Sequence, residues 1–175
     1  ICDWLNKPKC LLFASGFSAN TALMQALGHK SSQLYLDKLS HASLIDGALS
    51  SDAKVKRFLH NDIEQLQRLI SKNQQAEAHD DELNQVIVSE GVFSMDGDQA
   101  DVANLAKIAK QHQALLYLDD AHSIGVIGKK GQGSSSLADI DVVMATLGKS
   151  IATSGAFVAC DNNLADYLIN FSRHY

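Results

Sequence analysis

Leu116-Tyr117-Leu118-Asp119-Asp120-Ala121-His122 and Ala145-Thr146-Leu147-Gly148-Lys149-Ser150 are two apolar runs that each end abruptly in ionisable groups. Strands of a parallel sheet are buried on both faces and read as continuous apolar runs, and their carboxyl ends open into the crevice where α/β sheets bind ligands. The two segments therefore predict an α/β fold that delivers an acid, an imidazole and an amine to one sheet edge. Residues 11–14, 33–36, 55–59, 86–89 and 156–160 supply further short runs, for seven strands in all. Between them lie helical patterns: Phe17, Asn20, Leu23, Met24 and Leu27 share one face, and Val102, Leu105, Ile108 and Ala109 another. Ser40 is placed to cap a helix over 41–49, and Asn61 or Asp62 one over 63–72. Residues 73–84 turn polar and read as a solvated loop or the frayed end of the preceding helix. Helix-length connections imply a mostly parallel seven-stranded sheet with helices on both faces. Residues 150–155 are too few for a crossover, so the last strand is expected to run antiparallel.

The chain has 175 residues, 46% of them apolar, enough for one domain with its own core. A formal charge of −5 without a basic run argues against nucleic acid and acidic membranes as partners. The apolar runs are also too short to cross a bilayer. Cys2, Cys10 and Cys160 are odd in number and lack a C-x-x-C spacing, which favours reduced thiols and the cytoplasm. Residues 1–5 read as a helix already under way, and 163–175 carry Leu164, Tyr167, Leu168 and Phe171 at helical spacing without a closing cap. Residues 1–175 are accordingly expected to be one large domain of a longer protein.

Asp119, at its strand end, needs a cation or hydrogen bonds to stay ionised in low dielectric. A protonated pyridine nitrogen provides both, and keeping it protonated preserves the ring's capacity to absorb electrons. His122 could donate to a phenolate oxygen on the same ring. Lys149, expected to be desolvated beyond its apolar strand, could form a Schiff base and accept a proton. Together the three suit pyridoxal phosphate. Each also has a plainer reading: Asp119 as a turn or cap residue, His122 as a structural histidine, Lys149 as a solvated lysine. Asp119, Asp120 and His122 could ligate a divalent ion, but no H-E-x-x-H or second clustered pair supports a metal. Gly148-Lys149-Ser150 resembles the end of a P-loop and fails its pattern, because Val143 stands where the first glycine is required.

Phosphate has a separate candidate in Ser15-Gly16-Phe17-Ser18-Ala19-Asn20, where a strand turns into a helix at a glycine and free N–H groups meet the positive dipole end. Thr146 could add a hydroxyl to the same phosphate. Ser89-Glu90-Gly91-Val92-Phe93-Ser94-Met95-Asp96-Gly97-Asp98 follows a strand as a substrate-binding loop would. Asp37-Lys38-Leu39-Ser40-His41-Ala42-Ser43 places His41 where its ring could lie against a planar cofactor. Each of these has a turn or capping explanation as well.

In this order and spacing, the Asp37–Ser43 and Ser89–Asp98 segments, Leu118-Asp119-Asp120-Ala121-His122 and Thr146-Leu147-Gly148-Lys149 resemble the α-oxoamine synthases, pyridoxal-phosphate enzymes of the aspartate-aminotransferase fold, type I. The run from Glu90 to Asp98, and Asp119 to His122 followed by Gly125-Val126-Ile127-Gly128, are most similar to the 8-amino-7-oxononanoate synthase branch. Glycine C-acetyltransferase members tend to have Asp in place of Glu90. The resemblance implies Lys149 as the Schiff-base lysine and proton acceptor, Asp119 as partner of the pyridine nitrogen and His122 as ligand of the ring hydroxyl. It implies His41 stacked on the ring near substrate, Glu90 on the substrate side, Gly16 and Phe17 with Thr146 around the phosphate, and Ser94 at the cofactor. The implied cofactor is pyridoxal 5'-phosphate. The implied reaction is a decarboxylating condensation of L-alanine with a pimeloyl thioester of coenzyme A or acyl-carrier protein, carried out by a homodimer.

The chain also departs from that family. Glycines usually follow the lysine where it reads Ser150-Ile151-Ala152, and a smaller pair stands in place of Ser123-Ile124. The family's amino-terminal segment and carboxyl-terminal small domain are not among these residues. A cofactor-free α/β module is the competing class.

Overall fold

The computed structural model describes residues 1–76 and 84–172. Its elements run α1 (Cys2–Leu5), β1 (Lys9–Phe13), α2 (Gly16–Leu27), β2 (Ser32–Asp37), α3 (Ala42–Leu49), β3 (Lys54–Phe58), α4 (Ile63–Ala76), β4 (Asn84–Glu90), α5 (Val102–Gln111), β5 (Leu115–Asp119), β6 (Val142–Thr146), β7 (Ala156–Cys160) and α6 (Asn162–Phe171), with a 3₁₀ turn over Gly133–Ser136 before β6. The strands form one sheet in the order β1-β7-β6-β5-β4-β2-β3. Strands β2 to β6 are parallel to their neighbours among themselves, whereas β7 is antiparallel to both β6 and β1, as the short link before it requires.

Alternation along the strands builds two core layers. Leu34, Leu36, Val86, Val88, Tyr117, Val142 and Met144 pack with α2, α3 and α6. Tyr35, Ile87, Leu116, Leu118, Val143 and Ala145 pack with α1, α4 and α5. Each fully buried leucine-sized side chain stabilises by about 1.5–3 kcal/mol, so these layers carry most of the sheet's stability. The helices are also capped. Ser15 Oγ accepts from Ser18 N and Ser18 Oγ from Ser15 N at the start of α2, and Asp62, Asp101 and Asp161 accept from the third N–H groups of α4, α5 and α6. Each cap is worth about 1 kcal/mol.

Two elements differ from the sequence expectation. Ser40 N donates to Asp37 O in the turn leaving β2, which holds Ser40 outside α3. His41 caps the helix instead, its Nδ1 accepting from Ser43 N at 3.2 Å, and Ser40 Oγ is buried without a hydrogen-bond partner among the described residues. Helix α4 continues through Ala76, past the point where its apolar pattern fades. A polar tie extends it, since Lys56 Nζ donates to Asn73 Oδ1 at 3.0 Å, and such a contact leaves no apolar period. Residues 77–83 of the predicted loop and 173–175 of the last helical pattern lie outside the described residues.

This topology positions a site. The parallel strands β2, β4, β5 and β6 end at Asp37, Glu90, Asp119 and Thr146, and Glu90 pairs with Asp119 in register.

Candidate active site

Glu90, Asp119 and Thr146 continue the alternation of Val88, Tyr117 and Met144 and so face α2 and α3. Between them lies a cleft of about 200 Å³ whose walls include Gly16, Phe17, His41, Glu90, Asp119, His122, Thr146 and Lys149. The residues that the family resemblance assigns to cofactor and substrate are therefore brought together, except Ser94. That side chain is exposed in the turn closed by the Val92–Gln99 bridge and does not line the cleft.

Asp119 is 5% exposed. Its Oδ2 accepts from Asn20 Nδ2 at 2.7 Å and its Oδ1 from Ala121 N at 2.9 Å. Burial raises its pKa, and these hydrogen bonds, with Lys149 and His41 nearby, pull against that rise. No basic side chain among the described residues forms an ion pair with it. A buried carboxylate thus lines the cleft with no basic side chain of the described residues in direct contact with it.

The Asn20 amide is oriented by Tyr117, whose hydroxyl donates to Asn20 Oδ1. Asn20 Nδ2 then serves both Asp119 and Ser43 Oγ, the latter at 2.9 Å. Ser43 Oγ lies 2.7 Å from His41 Nδ1, which also accepts from Ser43 N. With Nδ1 an acceptor, the ring hydrogen resides on Nε2. Tyr117, Asn20 and Ser43 therefore link the Asp119 carboxylate to the tautomer of His41. Sequence reading placed Asn20 on a helical face and overlooked Ser43 and Tyr117 as site residues. The signal was an amide on the buried face of α2, because a buried amide requires partners.

Glu90 is 2% exposed, and its Oε1 accepts from His41 N at 2.5 Å. Burial first, and the adjacent Asp119 second, push its pKa to about 8 against the pull of the His41 N–H and Lys149. At neutral pH it is mostly a carboxylic acid, a donor as well as an acceptor.

Lys149 Nζ lies 2.7 Å from His122 Nε2. Burial, then the Lys149 charge, hold the His122 pKa below its ordinary value, so the neutral imidazole accepts from the ammonium. Lys149 is exposed rather than desolvated. The chain leaves the sheet immediately after Thr146 and turns, with Ala152 N donating to Lys149 O and Thr153 N to Leu147 O. Ser150 Oγ donates to Ile124 O, so two of the departures from the family pattern touch one another. Ser123, Ile124, Ser150 and Ala152 all stay out of the cleft lining. Ala152 has φ 58, a left-handed conformation that costs a non-glycine residue about 1–2 kcal/mol. Ala152→Gly is accordingly expected to raise stability by about 1 kcal/mol, read as a higher midpoint in chemical denaturation.

At the other end of the cleft, Thr146 Oγ1 is buried with no hydrogen-bond partner among the described residues. Gly16 approaches so closely that a Cβ would sit 2.5 Å from Thr146 Cγ2. Ser15 Oγ already takes the Ser18 N–H, but the Gly16 and Phe17 N–H groups at the start of α2 have no intrahelical acceptor, and with the Thr146 hydroxyl they make a cradle for an anion. Asp120 is committed elsewhere, accepting from Ser123 Oγ and Ser134 N, each at 2.7 Å. It pins the turn that carries His122 to the 3₁₀ turn.

A crevice at the carboxyl ends of parallel strands, with an amine, an imidazole, a buried acid and an anion cradle, defines an enzyme-like cofactor site of an α/β protein. A family model for aminotransferase class I and II matches residues 1–175, and the chain belongs to that family. The 8-amino-7-oxononanoate synthase of Photobacterium profundum is 45% identical over 177 residues, covering 100% of this chain and 44% of that protein. Among solved structures, a serine palmitoyltransferase variant from S. paucimobilis with a bound PLP-myriocin aldimine superposes with a TM-score of 0.90 at 31% identity, covering 99% of this chain and 45% of that one. The 8-amino-7-oxononanoate synthase from Francisella tularensis gives a TM-score of 0.81 at 35% identity, covering 97% and 48% respectively. These relatives are α-oxoamine synthases, the group whose motifs the sequence carries. The chain spans less than half the length of each.

Pyridoxal 5'-phosphate, the cofactor of this fold type, fits the residues present. Among the described residues Asp119 has no ion-pair partner, which a protonated ring nitrogen would be, and Thr146 Oγ1 no hydrogen-bond partner, which a phosphate oxygen would be; Lys149 presents an amine to the same cleft.

Proposed function

We propose that this chain is the cofactor domain of an 8-amino-7-oxononanoate synthase, which condenses L-alanine with a pimeloyl thioester of coenzyme A or acyl-carrier protein and releases carbon dioxide and the free thiol carrier. The observation that carries this reading is the convergence of Asp119, His122 and Lys149 on one cleft beside a free anion cradle. When bound, pyridoxal phosphate supplies an aldehyde for an amine and a protonated ring that takes up the electron pair left on a substrate carbon.

The residues divide the remaining work. Asp119, oriented by Asn20 and the Ala121 N–H, holds the proton on the ring nitrogen. Thr146 and the start of α2 hold the phosphate. Lys149 is the amine for the aldehyde and, once free, takes the α-proton of alanine; His122 beside it accepts a hydrogen from Nζ and holds the amine in place. His41 Nε2–H and the protonated Glu90 carboxyl offer donors to substrate oxygens. Glu90 itself, in place of the Asp common among glycine C-acetyltransferases, favours the alanine-using branch. Three unpaired thiols support the cytoplasm as its setting. A homodimer follows from the resemblance.

The test is product formation by the protein expressed from its full coding frame. With pyridoxal phosphate, L-alanine and pimeloyl-coenzyme A, mass spectrometry is expected to show 8-amino-7-oxononanoate. Turnover of glycine with acetyl-coenzyme A, and none with the first pair, would move the protein to the glycine C-acetyltransferase branch.

A further inference from the structure

On the opposite face of the sheet from the cleft, His60 stands between two carboxylates. Its Nδ1 is 3.1 Å from Asp37 Oδ1 and its Nε2 2.8 Å from Asp98 Oδ2. A neutral imidazole has one N–H and would turn a lone pair toward one of these acids, so this geometry is that of an imidazolium donating at both ends. Asn61 reinforces both contacts, its N donating to Asp37 Oδ2 and its Nδ2 to Asp98 Oδ2, each at 2.9 Å. The ring packs edge-to-face on Phe93 with centroids 4.4 Å apart.

The two acids belong to the two segments that reach the substrate side of the cleft. Asp37 ends β2 and opens the turn to His41; its carboxylate also accepts from Leu39 N at 2.8 Å. Asp98 closes the loop that begins at Glu90, with Phe93 N donating to Asp98 O and Gly97 N to Phe93 O. Those segments meet again inside the cleft, where His41 N donates to Glu90.

Resting on the reading of His41 and Glu90 as substrate-side groups, we propose that His60 is a positioning residue: as an imidazolium held between Asp37 and Asp98, it locks the His41 turn to the loop following Glu90 and so fixes the His41–Glu90 contact from behind the sheet. Asp37 and Asp98 are the charged groups that face it, and Phe93 and Asn61 are neutral. Burial lowers the His60 pKa, but the hydrogen bonds to Asp98 and Asp37 outweigh it and the net shift is upward. A histidine raised in the folded state contributes stability that is full below its ordinary 6.5 and is lost as pH rises through the folded value. The lock therefore loosens toward alkaline pH.

Nitrogen-15 NMR with amide exchange tests this in the chain as it stands. At pH 6 both His60 ring nitrogens are expected to carry protons, and the His41 amide to be protected. Asp98→Asn leaves the buried Asp37 paired with His60 and keeps the fold, yet it should lower the His60 titration and speed His41 exchange about ten-fold, the signature of a weakened local contact. His60→Gln is expected to show the same acceleration and to lose the alkaline fall in His41 protection that remains after correction for intrinsic exchange. A His60 found neutral at pH 6, or His41 exchange unchanged in Asp98→Asn, overturns the proposal. The absorbance of added pyridoxal phosphate is read in the same samples. A missing band beside an intact lock would fault the cofactor reading alone.

Discussion

Lys149→Ala is expected to abolish covalent attachment of pyridoxal phosphate. In the parent protein, added cofactor should give a visible band that borohydride removes while fixing the cofactor on Lys149; in the variant, neither the band nor the fixed adduct forms. Turnover in the full-length enzyme should fall by about 10³-fold or more, because one side chain serves both as the amine for the aldehyde and as the general base, and base catalysis alone is typically worth about 10²–10⁴. Phosphate and ring contacts from Thr146, the start of α2 and Asp119 remain, so the variant should still bind cofactor non-covalently. A second signature separates this from unfolding. The Lys149 charge is one of the causes that hold the His122 pKa down, so removing it should move the His122 titration upward by NMR. A band that persists unchanged and still reduces onto protein would overturn the assignment of Lys149.

Gly91→Ala is expected to be among the most damaging single substitutions in the described chain. A Cβ there would lie 2.1 Å from Ser134 Oγ, 2.2 Å from Asp120 Oδ1 and 2.3 Å from Ser123 Oγ. All three are members of the buried polar cluster around Asp120 or its immediate neighbours. Gly91 is also tied down by its backbone, donating to Asp119 O and accepting from Ala100 N. Relief by moving the side chains would strip hydrogen bonds from a carboxylate with 0% exposure. Overpacking typically costs about 1–3 kcal/mol, and an unsatisfied buried acceptor about as much again, so a loss of about 3 kcal/mol or more is expected. Gly97→Ala is the control. Its Cβ meets nothing within 4 Å, so its cost is confined to the backbone at φ 72. Urea denaturation compares the two, and a midpoint for Gly91→Ala no lower than that for Gly97→Ala would refute the steric argument.

The α/β fold and the core of the site were legible because both write themselves into local sequence. Buried parallel strands leave unbroken apolar runs, and Asp119, His122 and Lys149 stand out where two such runs stop. The antiparallel β7 followed from chain length alone. The relay behind these residues was not legible, since Tyr117 and Asn20 are joined by a hydrogen bond across 97 positions of sequence and a strand tyrosine looks like ordinary core. His41 as cap was hidden by the better capping chemistry of Ser40, which a turn bond from its own N–H keeps outside the helix. The exposure of Lys149 depends on how residues 147–153 turn, which apolar patterning does not record. Ser94 sits in a persuasive motif, yet the Val92–Gln99 bridge carries it away from the cleft.

Asp119 and Asp120 are chemically alike and adjacent, yet the pleat sends one toward the helix that starts the anion cradle and the other into the turn beyond the opposite layer. Their roles are distinguished by parity alone. Gaining one residue in β5 would carry Asp119 to the anchoring place of Asp120 and put Leu118 at the cleft, and losing one would carry Asp120 into the cleft and leave the anchoring place to Ala121. Leu115, Leu116 and Leu118 can be exchanged among apolar residues, but Tyr117 must keep the hydroxyl that holds Asn20, and the count is fixed: one residue added within 115–119 should not be absorbed.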